Sequence, residues 1–437
     1  MTINYDGICH YSKTGIMVKP SQSDRQYNIN VFGGKVMKKK FLCILLVCVL
    51  CVSLLAGCSG SGSSGSSDAD SEIAGLDGTW PEETIKIGVP VQDTTDDSVL
   101  RMMEYCEYLA QYYNLEFVFS ESLSSSEDEF DFIDSCAASG CDAIFGYYNI
   151  SGTEIVKECI SCGMYYWCSD SELTEEYADE EYFLAGYSFI VDESMDSSVS
   201  GDYLGGYELG YNIAFQATHV IYCNGGASMG IQMFMDRQEG FIAGIAAAIE
   251  DGAEIEFDED SDILEGWPGT DDYTAYQSKY LTDSTVDAVV SSFGTSTWLQ
   301  PLADAGRDDI KLAAIESTLT LSYDAVNDGT ITLIVYDCSE VVFGNAIPMI
   351  INAVTGNGYL NRDEDGNNTA IEVNRWVIDS VDTFNAIYEY EEAGNYFVTA
   401  EDLMQCFPEF NEDVTQESIN EFYSSLTVEA AVEIATE

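Results

Sequence analysis

The sequence predicts an α/β protein of two doubly wound parallel-sheet lobes, followed by a helical C-terminal tail. Three observations carry this reading. From residue 84 onward, short apolar runs alternate with amphipathic stretches of helical length, and strands separated by such helices pair in parallel through right-handed crossovers. The alternation runs to residue 192 and then restarts at 219, which gives two similar sandwiches rather than one. The 380 residues from Cys58 onward are enough for two such lobes.

In order, strands are expected over 85–91, 115–119, 142–147 and 164–168, with helices over 98–112, 127–139 and 153–161. Residues 183–191 are extended, and 201–216 form a glycine-laced helix. The second run has strands at 219–223, 254–257, 288–291, 311–315 and 330–335. Its helices fall at 237–250, 271–281, 297–305, 321–328 and 341–355. The first strand ends in Gln92-Asp93-Thr94-Thr95, which is neither a Walker loop nor a dinucleotide fingerprint.

The N-terminal region reads differently. Met37-Lys38-Lys39-Lys40 is basic, and residues 41–55 (FLCILLVCVLCVSLL) are apolar apart from Ser53. Fifteen residues are too few to span ~30 Å of hydrocarbon, and they fit the core of a signal peptide. The segment closes on Leu54-Leu55-Ala56-Gly57-Cys58, which resembles the lipobox of bacterial lipoproteins. The resemblance implies cleavage before Cys58 and acylation of its sulfur, and two or three acyl chains hold a protein stably on a bilayer. Residues 1–36 are polar and patternless. Translation is expected to begin at Met37, with codons for Gly33-Gly34 able to serve as the ribosome-binding site, so 1–36 are a misassigned extension. The expected organisation is therefore 1–36 extension, 37–57 signal peptide and 58–83 flexible Gly/Ser tether. Residues 84–192 form lobe 1 with part of 337–357, 193–336 form lobe 2, and 358–437 form a hairpin and tail.

Seven of the 16 Lys+Arg but only two of the 77 Asp+Glu precede Cys58. The remainder carries 9 basic and 75 acidic residues, a formal −66. Such a surface repels phosphate backbones and excludes nucleic-acid partners. Aromatic content of 12% and hydrophobic content of 46% exclude a disordered acidic chain. Nine cysteines follow Cys58, an odd number, including Cys159-Ile-Ser-Cys162. Without a second CxxC, and with His219 the one histidine after Cys58, most are expected to be small buried apolar residues. A structural disulfide is the alternative, and metal or redox chemistry is disfavoured.

Six segments, in order, carry a family resemblance. Gly140-Cys141-Asp142-Ala143-Ile144 is followed by Tyr148-Asn149, and Gly163 through Asp170 read GMYYWCSD. Next come the glycine-rich stretch 201–210, Arg237-Gln238-Glu239-Gly240-Phe241, Asp287-Ala288-Val289 and 325–330 (AVNDGT). Together they resemble the sugar-binding branch of the type I periplasmic binding proteins over residues 84–380. There are departures: Ser171 stands where many sugar binders carry arginine, Glu316 where aspartate is usual, and the first loop lacks Asn-Pro-Phe. The resemblance implies two lobes joined by a hinge, with a ligand between them at the carboxyl ends of the strands. Asp93, Tyr148, Asn149, Asp170, Arg237, Thr295, Trp298 and Glu316 are then the expected binding residues, with Gln92, Tyr147 and Gly294 beside them. A guanidinium and carboxylates suit vicinal hydroxyls, and aromatic faces suit sugar rings or a base.

Asn361, Asp363, Asp365, Gly366 and Glu372 fall at positions 1, 3, 5, 6 and 12 of a calcium loop. The preferred reading there is an Asp-Gly hairpin between 358–360 and a strand at 371–378. No cofactor is expected. With no histidine in the cleft and no G-x-S-x-G, catalysis is not expected either. The expectation is a monomeric solute-binding lipoprotein on the outer face of the cell membrane. It delivers a sugar or nucleoside to the permease of an ABC importer. A receptor feeding a sensor kinase or chemoreceptor is the alternative, and a surface adhesion protein a third.

Overall fold

The computed structural model describes residues 73–169, 176–191, 199–227 and 230–437. The signal peptide, Cys58, most of the tether, and Asp170 with Ser171 lie outside the described residues.

Lobe 1 opens with β1 (Ile85–Val89), α1 (Asp97–Leu109), β2 (Leu115–Phe119), α2 (Ser126–Ala138) and β3 (Ala143–Gly146). It continues through α3 (Thr153–Cys162), β4 (Tyr165–Cys168) and β5 (Phe183–Leu184), then β6 (Tyr187–Phe189). The first five strands form one parallel sheet in the order β2-β1-β3-β4-β5. All four residues of β3 are buried, as a strand covered by helices on both faces requires.

The chain then enters lobe 2 through α4 (Gly201–Ile213), β7 (Val220–Cys223), α5 (Gln232–Glu250) and β8 (Ile263–Leu264). These are followed by α6 (Asp271–Thr282), β9 (Ala288–Ser291), α7 (Ser296–Ala305), β10 (Lys311–Ile315), α8 (Tyr323–Asn327) and β11 (Ile331–Tyr336). It returns to lobe 1 as α9 (Ser339–Val342) and α10 (Ala346–Val354), and α10 packs on β4. The helix expected over 341–355 is thus two helices. The break falls at Gly344, where a Cβ would sit 2.1 Å from the Glu340 carbonyl oxygen.

Next, β12 (Ile371–Val373) pairs in parallel with β6, and β13 (Trp376–Ile378) pairs antiparallel with β11. The second sheet has the order β13-β11-β10-β9-β7-β8. The strand expected over 371–378 is therefore two strands in different sheets, divided at Asn374-Arg375. No hairpin joins it to 358–360, which is part of a short 3-10 helix, Gly358–Asn361. An isolated bridge between Arg362 and Asn368 closes the turn between them. Three segments thus connect the lobes: the stretch after β6, residues 337–338, and residues 374–375.

Two further elements differ from the expectation. Residues 254–257 form no strand; Glu256 makes only an isolated bridge to His219, and the edge strand is β8. Helix α5 begins five residues earlier than expected, because its first turn exposes Met233 and Met235 and so lacks an amphipathic pattern. Helices α4 and α5 cross with their backbones nearly touching. A Cβ on Gly240 would lie 1.9 Å from the Tyr203 carbonyl oxygen, and one on Gly206 2.0 Å from that of Arg237. Only glycine permits this approach, and it brings the second turn of α5 against the start of α4.

The tail consists of α11 (Val381–Glu392), α12 (Ala400–Leu403), α13 (Gln416–Ser424) and α14 (Val428–Thr436). It packs on both lobes. On lobe 2, the Tyr388 and Tyr323 rings lie 4.9 Å apart, and Asn385 and Asn327 exchange side-chain hydrogen bonds. On lobe 1, Tyr396 lies 4.7 Å from Tyr108, and the Tyr113 hydroxyl donates to the Ala400 carbonyl. Trp80 packs against Tyr113, Phe407 and Phe410, and Leu76 is buried. The last part of the expected 58–83 tether is therefore packed structure, held by aromatic residues far away in sequence.

Candidate functional site

Strands of a parallel sheet end on the same edge, and the connecting segments leave both sheets there. On the lobe 2 edge, Glu316 follows β10. Its Oε2 accepts from the Thr295 amide (2.9 Å) and hydroxyl (3.1 Å), while Oε1 has only a 3.5 Å contact from the Thr320 hydroxyl. Burial raises its pKa above the ordinary carboxylate value. Arg237 lies in the second turn of α5, not at its start. Its Nε donates to Asp202 Oδ1 (2.7 Å) and its Nη1 to the Ser292 carbonyl (2.6 Å). The glycine contact of α4 with α5 makes this pairing possible, since Asp202 opens α4.

Arg375 gathers the three connections. Its Nε and Nη2 donate to Asp337 Oδ1 and Oδ2 at 2.6 and 2.8 Å, and its Nη1 donates to the Gly201 carbonyl. Its guanidinium carbon lies 4.0 Å from the centre of the Phe189 ring, a cation–π contact.

On the lobe 1 edge, Asp93 is exposed and accepts from the Thr95 amide and hydroxyl at 2.9 and 2.7 Å. Tyr148 is half-buried, and burial raises its pKa. Asn149 accepts from the Gly152 amide (2.7 Å). The fully buried Glu129 accepts from the amides of Ile150 and Ser151, so this loop is shaped from below. Aromatic rings cluster beside it: Tyr147 lies 4.9 Å from Phe343, and Tyr187 lies 5.6 Å from Phe343 and 5.3 Å from Phe189. On the lobe 2 side, Trp267 stacks on Phe293 at 5.2 Å and is 45% exposed.

The expected residues therefore divide. Arg237 and Glu316 stand on the lobe 2 edge, and Asp93, Tyr148 and Asn149 on the lobe 1 edge; Asp170 lies outside the described residues. Trp298 is wholly buried in the core and presents no face to a solute. Thr295 is 2% exposed and serves to hold Glu316. Sequence reading missed Asp202, Asp337, Arg375, Tyr187, Phe189, Phe343, Trp267 and Phe293. One signal was present for Arg375: it is one of only nine basic residues after Cys58. The calcium positions do not converge. Asn361 is turned to the Met349 carbonyl, Asp363 accepts from the amides of Asp365 and Asn367, and Glu372 accepts from Asn420. The CxxC is split, with Cys159 buried and Cys162 exposed.

No protein-family model and no curated protein matches the chain. Solved structures do. One is a periplasmic solute-binding protein of an ABC transporter from Actinobacillus succinogenes 130z with bound D-allose. It has a TM-score of 0.51 and 13% identity, over 68% of this chain and 98% of that one. Another is a carbohydrate transporter protein from Acidothermus cellulolyticus 11B in complex with myo-inositol. It has a TM-score of 0.50 and 12% identity, over 71% of this chain and 99% of that one. The fold is that of a type I periplasmic binding protein. At these identities the likeness establishes the fold alone.

Proposed function

We propose that this chain is an extracytoplasmic solute-binding lipoprotein that captures a small, neutral polyhydroxylated solute and passes it to the permease of an ABC importer. A sugar, a cyclic polyol or a nucleoside fits this description. The observation that carries the reading is Glu316. It is a desolvated carboxylate with one oxygen held by Thr295 and the other without a short partner among the described residues. Such an oxygen accepts a hydroxyl proton well, and the Arg237 and Asp202 pair nearby both donates and accepts, as vicinal hydroxyls require. Trp267 and Phe293 offer flat apolar faces for ring C–H groups. Closure around the solute supplies the state that a permease recognises.

The test is a melting-temperature screen followed by titration calorimetry with D-allose, myo-inositol, D-ribose and adenosine. At least one ligand should raise the melting temperature. For that ligand, Glu316→Gln and Arg237→Ala should each weaken binding by roughly tenfold to a hundredfold, the value of a charge-assisted hydrogen bond of ~1.5–3 kcal/mol. Wild-type affinity in both variants would place the solute elsewhere. The anchor is tested separately. Cys58→Ser should move the protein from the detergent phase to the aqueous phase or leave it unprocessed, and unchanged partitioning would refute lipidation at Cys58.

A further inference from the structure

Helix α2 ends in a Schellman turn. Gly140 adopts φ +75°, its amide donates to the Ala137 carbonyl at 3.1 Å, and the Cys141 amide donates to the Cys136 carbonyl at 3.0 Å. In this motif the side chains of the third-last helical residue and the second residue past the cap lie against each other, usually as an apolar contact. Here those two positions are both cysteine. Cys136 and Cys141 belong to the same core cluster, and the Cys141 sulfur lies 3.8 Å from the Ser139 hydroxyl. Cys136 is 1% exposed, with Ile144 and Cys159 in the same core cluster, and Cys141 is 7% exposed, directly after the exposed turn 138–140.

We propose that Cys136 and Cys141 are a redox-reversible disulfide pair that staples the end of α2 to the start of β3. The six-residue turn already holds the two backbones together, so little movement is needed to bring the sulfurs to bonding distance. The thiols are also unequal. Hydrogen bonding from Cys136, with help from Ser139 and Lys86, lowers Cys141 to about 7, while the proton shared with Cys141, and then burial, push Cys136 well up. Cys141 is thus the attacking thiolate and Cys136 the resolving thiol.

The oxidant class is a small-molecule disulfide, and glutathione disulfide serves as probe. The Cys141 thiolate attacks one glutathione sulfur, the glutathione S–S bond breaks, and one glutathione thiolate leaves. The Cys136 thiol then loses its proton, and its sulfur attacks Cys141 in the mixed disulfide, expelling the second glutathione. Two cysteine thiols are oxidised, one glutathione disulfide is reduced to two thiols, and the two cysteine protons end on them. The pair sits at the amino end of β3, opposite the cleft edge, so the staple should raise the melting temperature while leaving solute affinity unchanged.

The native full chain carrying Cys162→Ser, which removes the exposed thiol, is treated with glutathione disulfide, quenched in acid and mapped by mass spectrometry without reduction. A Cys136–Cys141 link, two hydrogens lighter, is expected in that protein. With Cys136→Ser added, one glutathione should be trapped on Cys141. With Cys141→Ser added instead, Cys136 should stay unmodified. Free thiols at both positions, or a Cys136–Cys159 link, would overturn the proposal. The first arm needs no change at either cysteine, so poor folding of a variant does not blunt it.

Discussion

Replacing Arg375 by alanine is expected to destabilise the protein by roughly 2–4 kcal/mol, somewhat below the cost of breaking a fully buried ion pair because the Asp337 side chain is 24% exposed. Arg375 is a side chain of low exposure in the third connection between the lobes. It is bonded to Asp337 in the second connection, and to Gly201 and the Phe189 ring at the two ends of the first. Alanine removes all of these contacts at once and strands the Asp337 carboxylate. Arg375→Lys should recover only part of the loss, because an ammonium cannot match both carboxylate oxygens in the plane of a fork. Urea denaturation followed by circular dichroism measures both variants. A loss below ~1 kcal/mol for the alanine variant, the range of an exposed pair, would show that the guanidinium does not hold the connections together.

The second large effect depends on pH. Glu391, at the end of α11, brings the tail into a buried cluster beside the second connection. Its Oε1 accepts from the Tyr336 hydroxyl at 2.5 Å and its Oε2 from that of Thr318, both in lobe 2. Facing it are Cys338 and Glu340, whose ligating atoms lie within 4.8 Å of it and of each other. Glu340 in turn receives Arg101 of α1 at 3.1 Å and the Phe397 amide at 3.2 Å. Burial first, and the Glu340 charge second, raise Glu391 from 4.5 to about 7.

A carboxyl group with a raised folded pKa binds a proton in the folded chain at pH values where the unfolded chain has released it. Below pH ~4.5 both states are protonated. As pH climbs from there through 7, ionisation favours the unfolded chain, and stability falls by about 3 kcal/mol. Glu391→Gln keeps an acceptor for one hydroxyl and cannot ionise. Its stability relative to wild type should therefore increase by about that amount between pH 5 and pH 8. Parallel stability curves for the two proteins across this range would show that Glu391 does not titrate there.

The same cluster ties the tail to both lobes. Arg101 belongs to lobe 1, Thr318 and Tyr336 belong to lobe 2, and the tail bonds to both sides. The tail therefore spans the two lobes beside the second connection, with Glu391 bonded to Tyr336 and Thr318 on one side and Phe397 to the Arg101–Glu340 pair on the other.

The alternation of strands and helices was legible because each signal is local. Strands β2, β9 and β10 fall on the expected residues, since a buried parallel strand is a short apolar run bounded by turn residues, and the run itself marks its ends. Glu316 could be placed at the end of its strand because it follows β10 directly, whereas Arg237, expected at the start of a helix, lies in its second turn. Trp298 could not be assigned, because whether an aromatic residue one turn into a helix faces solvent or core depends on what packs over it. The division of 371–378 between two sheets, the partners of Arg375 and the two-lobed grip of the tail were likewise beyond local reading. Each is set by contacts between residues tens to hundreds of positions apart, and local patterning carries no information about which distant surface will meet it.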